Sequence, residues 1–170
     1  KGVEEQTEKL VEVCRMRNIP TIVFINKLDR EGKDAFDLLD EIELKLGLKV
    51  TPLSLPIGMG YDFKGIYNIW EQNIQIFSDD QKQTIGKKLI YYSVSDPKLE
   101  KVIGVAQLKL IVEELELIEV VYPKFTKKAY LEGKLHPVLF GSALNNFGIE
   151  ELLNCFIEIA PEPLPKASEE

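Results

Sequence analysis

The sequence predicts an α/β fold, and three observations carry that prediction. Two apolar runs, Thr21–Ile25 and His136–Gly141, each break off into polar or small residues. Each is followed by a stretch with helical spacing, near Lys33–Leu46 and from Ile149 to Ala160. Between them, from Leu48 to Leu135, short alternating runs and polar turns give way to further helical spacing. Near-continuous apolar content marks strands buried on both faces of a parallel sheet, and short runs bounded by turns mark antiparallel strands. The expectation is a partial parallel sheet of two core strands with helices, plus an α+β insertion subdomain with short antiparallel strands. Residues 1–47 and 136–165 form the expected core, 48–135 the insertion and 166–170 a tail.

The elements follow from local patterns. Val3, Thr7, Leu10 and Cys14 repeat at helical spacing, which predicts an amphipathic helix over 3–17. Its acidic first turn, Glu4-Glu5, suits the positive helix end, and Asn18-Ile19-Pro20 stops it. In the second helix Ala35, Leu39, Ile42 and Leu46 line one face, and Gly47 is the expected stop. Val50–Pro56 alternates, and its prolines point to an edge strand. Gly58 and Gly60 mark a turn, after which Gly65–Trp70, Ile74–Phe77 and Lys88–Tyr92 read as antiparallel strands. Leu99, Val102, Ile103 and Ala106, then Leu108, Ile111, Leu115 and Ile118, restore helical spacing, with Gly104 as a break and Thr126–Glu132 as a short third helix. The closing helix places Ile149, Leu152, Leu153, Phe156, Ile157 and Ala160 on one face, and Pro161–Pro165 forms a stiff exit linker.

Bulk properties narrow the function. With 170 residues, 45% hydrophobic and 29% charged, the chain can bury a real core as one domain with a small insertion. A net charge of −7 argues against a broad nucleic-acid-binding face. The clusters Lys124, Lys127, Lys128 and Lys82, Lys87, Lys88 read as solvated lysines, and the pairs Glu4-Glu5, Glu113-Glu114 and Glu150-Glu151 as solvated helix faces. Cys14 and Cys155 lack partners at metal-ligand spacing and read as buried structural thiols, which fits a reducing cytoplasm. No apolar run approaches a membrane span, so the expected location is cytoplasmic.

Two stretches carry chemistry. Asn26-Lys27-Leu28-Asp29 ends the first strand, at the carboxyl edge where such sheets bind ligands. A carboxylate at Asp29 can accept from both the ring N1–H and the exocyclic amine of guanine, a pair of donors that adenine lacks. Asn26 can bond the purine's other edge or tie neighbouring loops together, and the Lys27 stem can lie over the base plane. The plain alternative is a strand followed by a polar turn. Ser142-Ala143-Leu144 ends the second strand after Gly141, and its small residues let a backbone amide approach the guanine carbonyl oxygen.

In this order the two motifs resemble the base-reading motifs of the GTPase fold, and Lys1–Thr7 resembles the segment that follows the switch region in translational GTPases. Asn26–Arg30, Leu38–Glu43, Pro56–Gly60, Phe63–Tyr67 and Glu113–Leu117 together resemble the bacterial peptide chain release factor 3 family. Elongation factor G is the nearest rival, its usual motif having Met where Leu28 stands. The resemblance implies a P-loop-GTPase-type sheet, with Asn26, Lys27, Asp29, Ser142, Ala143 and Leu144 binding the guanine of GTP or GDP. It implies GTP hydrolysis by an intact parent on the ribosome, coupled to recycling of the codon-reading release factors in translation termination.

Other features limit that reading. No Gly-x-x-x-x-Gly-Lys-Ser/Thr occurs, and the Ser/Thr that holds Mg²⁺ in such sites is missing with it, so this stretch alone is expected to be inactive. Asp62-Phe63-Lys64-Gly65 matches a loose switch pattern in the wrong place and reads as a turn; the only histidine, His136, reads as structural. In the GTPase sheet Thr21–Ile25 would have a further strand beside it, so its open edge is expected to favour self-association. A different class of function is a non-catalytic interaction module acting through residues 48–135.

Overall fold

The computed structural model describes residues 2–28, 30–77, 88–143 and 146–162. Helix α1 (Glu5–Met16), strand β1 (Val23–Ile25) and helix α2 (Ala35–Leu46) come first. Strands β2 (Val50–Pro52), β3 (Ser54–Ile57), β4 (Gly65–Asn68), β5 (Asn73–Phe77) and β6 (Lys88–Tyr91) follow. Helices α3 (Pro97–Ile103), α4 (Val105–Val121) and α5 (Lys127–Leu131), strand β7 (His136–Phe140) and helix α6 (Ile149–Ile159) complete the order.

The strands form a parallel sheet in the order β1-β7-β2 and an antiparallel sheet in the order β3-β4-β5-β6. All five residues of β7 are buried, because it has a neighbour on each side and a hydrophobic layer on each face. Val138 and Phe140 pack into a cluster with Val11 of α1, Leu39 and Ile42 of α2, and Val50. Leu139, one residue out of phase, packs instead with Tyr130, Cys155 and Ile159. Strand alternation thus divides the helices between the two faces. The antiparallel sheet has its own cluster, Ile57, Ile74 and Ile76 against Leu99, Ile103 and Ile111 of α3 and α4.

Several expectations change. The parallel sheet has three strands rather than two, since Val50–Pro52 pairs parallel with β7. The alternating run Val50–Pro56 splits at Leu53, whose amide donates to the Val138 carbonyl while its own carbonyl accepts from Ile69 and Trp70. Both products are edge strands, as their prolines, which lack an N–H, require. Strand β1 is only half-buried rather than buried on both faces, because it too is an edge.

Two helices turn a different face inward from the one that spacing suggested. In α1 the buried residue is Val11, while Leu10, Val13 and Met16 are exposed. In α6 Glu151, Cys155 and Ile159 are buried, while Leu153, Phe156 and Ile157 face outward. The α2 expectation holds in full: Ala35, Leu39, Ile42 and Leu46 are all buried, Asp34 caps the first turn and Gly47 ends it in the left-handed conformation (φ 61°). Gly104 separates α3 from α4, also as expected.

Buried charge is paired. Glu41 takes Lys33 at 2.6 Å and Lys45 at 2.7 Å and accepts from the Val3 amide, which pins the N-terminal segment to α2. The two lysine hydrogen bonds hold its carboxyl down at about 2. Glu151 is no solvated residue: it is almost fully buried and meets Lys88 at 2.8 Å, with exposed Glu150 at 2.7 Å from the same ammonium. Lys88 is therefore no free lysine either, while Lys82 and Lys87 lie outside the described residues. Cys155 is buried, and burial pushes its thiol up to about 11; Cys14 is only half-buried.

Glu114 is shifted in the opposite direction to Glu41 and generates a prediction. Burial first, and Asp34 second, raise its carboxyl from 4.5 to about 7. Between those values the folded chain keeps a proton that the unfolded chain has lost, so stability falls as pH rises through that window. Glu114→Gln should remove this slope and raise the melting temperature at pH 8, read as the difference between variant and wild type across a pH series. The outer edge of β1 carries the second prediction. No strand pairs with it among the described residues, and nothing between Pro20 and Asn26 is ionisable. Concentration-dependent association in light scattering is the expected outcome, and a clean monomer at high concentration would count against it.

Candidate functional site

Strands β1 and β7 run parallel and end side by side, with Ile25 opposite Phe140. The loops that follow, from Asn26 and from Gly141, therefore emerge at one rim of the sheet, where ligands bind in folds of this kind. Asn26 joins them. Its Oδ1 accepts from the Lys27 amide and from the Ala143 amide, each at 2.8 Å. Of the two roles that the sequence leaves open for Asn26, tying the loops together is realised here. An amide side chain has donors as well, so Nδ2 keeps its capacity to bond a ligand.

The loop after β1 alternates between solvent and core. Asn26 and Lys27 are exposed, Lys27 in the left-handed region (φ 73°), whereas Leu28 is 1% exposed. Burying that leucine is worth roughly 2 kcal/mol. Its amide donates to the Gly141 carbonyl at 3.3 Å, and its carbonyl accepts from the Gly60 amide at 2.9 Å. A hydrophobic anchor thus holds polar neighbours outward at a set position.

The loop after β7 is closed on itself. Ser142 and Phe147 exchange backbone hydrogen bonds of 2.8 and 3.0 Å, with Asn146 left-handed between them (φ 57°). Gly141 is required by packing: a Cβ there would run into the Phe147 carbonyl oxygen and the Phe24 ring. Ser142 is fully buried and Ala143 is exposed. The sequence suggested that an amide of this turn meets the guanine carbonyl. In the structure the Gly141 amide donates to Ile25, the Ser142 amide to Phe147 and the Ala143 amide to Asn26, so all three are engaged within the protein. Asp29 and Leu144, the other two proposed base contacts, lie outside the described residues.

Sequence reasoning missed three supports of these loops. Gly60 was read only as part of a turn, yet its amide holds the Leu28 carbonyl. Phe147 stacks on Phe77 of β5 with ring centroids 3.9 Å apart and an interplanar angle of 18°, and Phe63 lies 5.5 Å from Phe147 and 6.0 Å from Phe77. Lys88 of β6 grips the first turn of α6 through Glu150 and Glu151. No periodic signal connects these distant positions.

Other candidates fall away from the rim. His136 opens β7 at the opposite end of the strand; its Nδ1 lies 3.3 Å from the Thr21 carbonyl and burial pushes its pKa below the ordinary value. Asp62–Gly65 is a turn between a 3₁₀ segment, Gly60–Asp62, and the start of β4, with the Lys64 amide on the Ile57 carbonyl at 2.8 Å. Among the described residues no group of three His, Cys, Asp or Glu side chains could hold a metal, and no helix is long and apolar enough to cross a membrane.

The Asn26 tie is testable without any ligand. Asn26→Ala leaves the Ala143 amide without its side-chain acceptor. The expected cost is about 1 kcal/mol in denaturant unfolding, with faster hydrogen exchange confined to residues 142–147. Unchanged exchange there would show that Asn26 does not hold the second loop.

Comparison with known proteins agrees with this geometry. A family model described as "Elongation factor Tu GTP binding domain" matches residues 1–162. The crystal structure of ttk003000868 from Thermus thermophilus is 24% identical with a TM-score of 0.65, over 95% of this chain and 25% of that one. The chain thus spans about a quarter of the length of that protein and shares its fold. Together with the pair of loops at the sheet rim, the family match over nearly the whole chain shows that it belongs to the elongation factor Tu GTP binding domain family.

Proposed function

We propose that this chain supplies the base-recognition half of a ribosome-dependent GTPase that acts in translation termination, like bacterial peptide chain release factor 3. The observation that carries base recognition is the Asn26 side chain, which links the loops after two neighbouring parallel strands at 2.8 Å. Binding a guanine there would use Asp29 as acceptor for N1–H and the exocyclic amine, Asn26 Nδ2 as donor to the purine's other edge, and the Lys27 stem against the base plane. Ser142, Ala143 and Leu144 close the other side. A site with placed polar partners rejects a base that leaves them unpaired by roughly 10⁴-fold in favourable cases.

The guanine base suits the residues at the rim, while the phosphate-binding motif, and with it the Ser/Thr that would hold Mg²⁺, is missing from the sequence. Hydrolysis belongs to an intact parent, and the chain alone is expected to be inactive. The termination role, with ribosome and codon-reading release factors as partners, rests on the Pro56–Gly60 and Phe63–Tyr67 strings; the cytoplasmic site of action rests on the cysteine usage and the lack of an apolar membrane span in the sequence. An elongation-factor-G-type translocase fits the family match equally well, and those strings are what favour the first reading.

Titration of the chain with guanosine, GDP, xanthosine and adenosine tests base recognition. Without a phosphate cradle, guanosine and GDP should bind alike and weakly, with Kd on the order of millimolar, and adenosine not at all. Asp29→Asn, which adds a donor where guanine also donates, should move the preference to xanthosine. A guanosine preference untouched by Asp29→Asn would overturn the assignment of Asp29, and equal binding of adenosine would overturn base recognition itself.

A further inference from the structure

The antiparallel sheet reaches both base-reading loops, by different means at each. At the first, the Gly60 amide donates to the Leu28 carbonyl, and Leu28 is the buried anchor of the Asn26–Lys27 pair. Gly60 is buried and left-handed (φ 61°), and Glu31 lies 3.2–3.3 Å from where a Cβ would stand. At the second, Phe77 and Phe63 clasp Phe147, the residue whose backbone closes the Ser142–Phe147 loop. Beyond that loop, Lys88 on the neighbouring strand holds Glu150 and buried Glu151 at the start of α6.

We propose that Phe77, with Phe63, is a positioning residue for guanine recognition, so that seating of the antiparallel sheet and binding of the base are thermodynamically coupled. This rests on the base-recognition reading above. The physical reason is where the stack acts: Phe147 exchanges two backbone bonds with Ser142, and the described residues beside that pair, Ala143 and Asn146, are exposed. The Phe147 carbonyl accepts from the Ser142 amide, and the next amide along the chain, that of Ala143, is the one Asn26 holds. A tilt of the Phe147 ring therefore moves the backbone that sets Ala143 against Asn26. Stacked rings resist such a tilt through their own geometry, in addition to the area they bury. Coupling of this kind is reciprocal: whatever loosens the stack weakens the base, and the base in turn tightens the stack.

The test compares wild type, Phe77→Ala and Phe77→Tyr, the last keeping an aromatic face for Phe147. Guanosine affinity is followed by NMR titration with adenosine as control, and hydrogen exchange is read at residues 142–147 and at Gly60. Phe77→Ala should weaken guanosine about five-fold or more and accelerate exchange at 142–147, with Phe77→Tyr restoring both. In the wild type, guanosine should slow exchange at Gly60 and Phe77, the reciprocal effect. If wild type prefers guanosine and Phe77→Ala binds it equally, the proposal is overturned. If wild type shows no guanosine preference, base recognition fails instead. The brace is then judged on exchange alone: acceleration at 142–147, restored by Phe77→Tyr, supports it, and unchanged exchange overturns it.

Discussion

Strand β7 is the constraint on which the rest of the structure depends. It pairs with β2 along His136–Val138 on one edge and with β1 along Val138–Phe140 on the other, and all five of its residues are buried. Alternation along it sends Val138 and Phe140 to the α1–α2 face and Leu139 to the α6 face. Because β1 runs parallel to β7 and in register with it, the chain leaves both strands at the same rim. The two polar loops meet there for this reason, and no local property of either loop would bring them together.

The antiparallel sheet is joined to this core along a continuous path. The chain crosses from one sheet to the other at Leu53, whose amide still bonds Val138 while its carbonyl already serves Ile69 and Trp70. The next residue, Ser54, uses its hydroxyl oxygen to accept from the Phe140 amide at 2.9 Å. Leu115 packs against both the core cluster and the cluster of the antiparallel sheet. The insertion is thus no appendage on a flexible stalk. Its hydrogen bonds and rings end on the residues that frame the rim, and a site held by such supports needs less reorganisation on binding than one built from free loops.

Charge placement follows the same logic of burial. Glu41 and Glu151 are tolerated inside because each meets lysine at 2.6–2.8 Å. Glu114 has no such partner among the described residues, and its carboxyl responds by holding its proton up to about 7. Glu41 and Glu114 of one acidic chain are therefore pushed in opposite directions by their neighbourhoods.

The sequence by itself determined the fold class, the order of helices and strands, and the carboxyl-end location of Asn26–Leu28 and Ser142–Ala143. These follow from periodicity, from proline and glycine punctuation, and from the end of each apolar run, all of which are local. Gly47 and Gly104 stand where helices end or break for that reason. Tertiary structure decided what depends on neighbours: that Val50–Pro52 joins the parallel sheet, that β1 is half-buried at an edge, and that α6 buries Cys155 and Glu151 while Phe156 faces outward. It also decided that Asn26 bonds Ala143 across 117 positions and that Phe63, Phe77 and Phe147 meet. An amphipathic pattern says that a helix has an apolar side but not how much of that side finds a partner, and a side-chain hydrogen bond between distant loops leaves no periodic trace. Strand pairing creates those neighbours, and only the folded chain contains them.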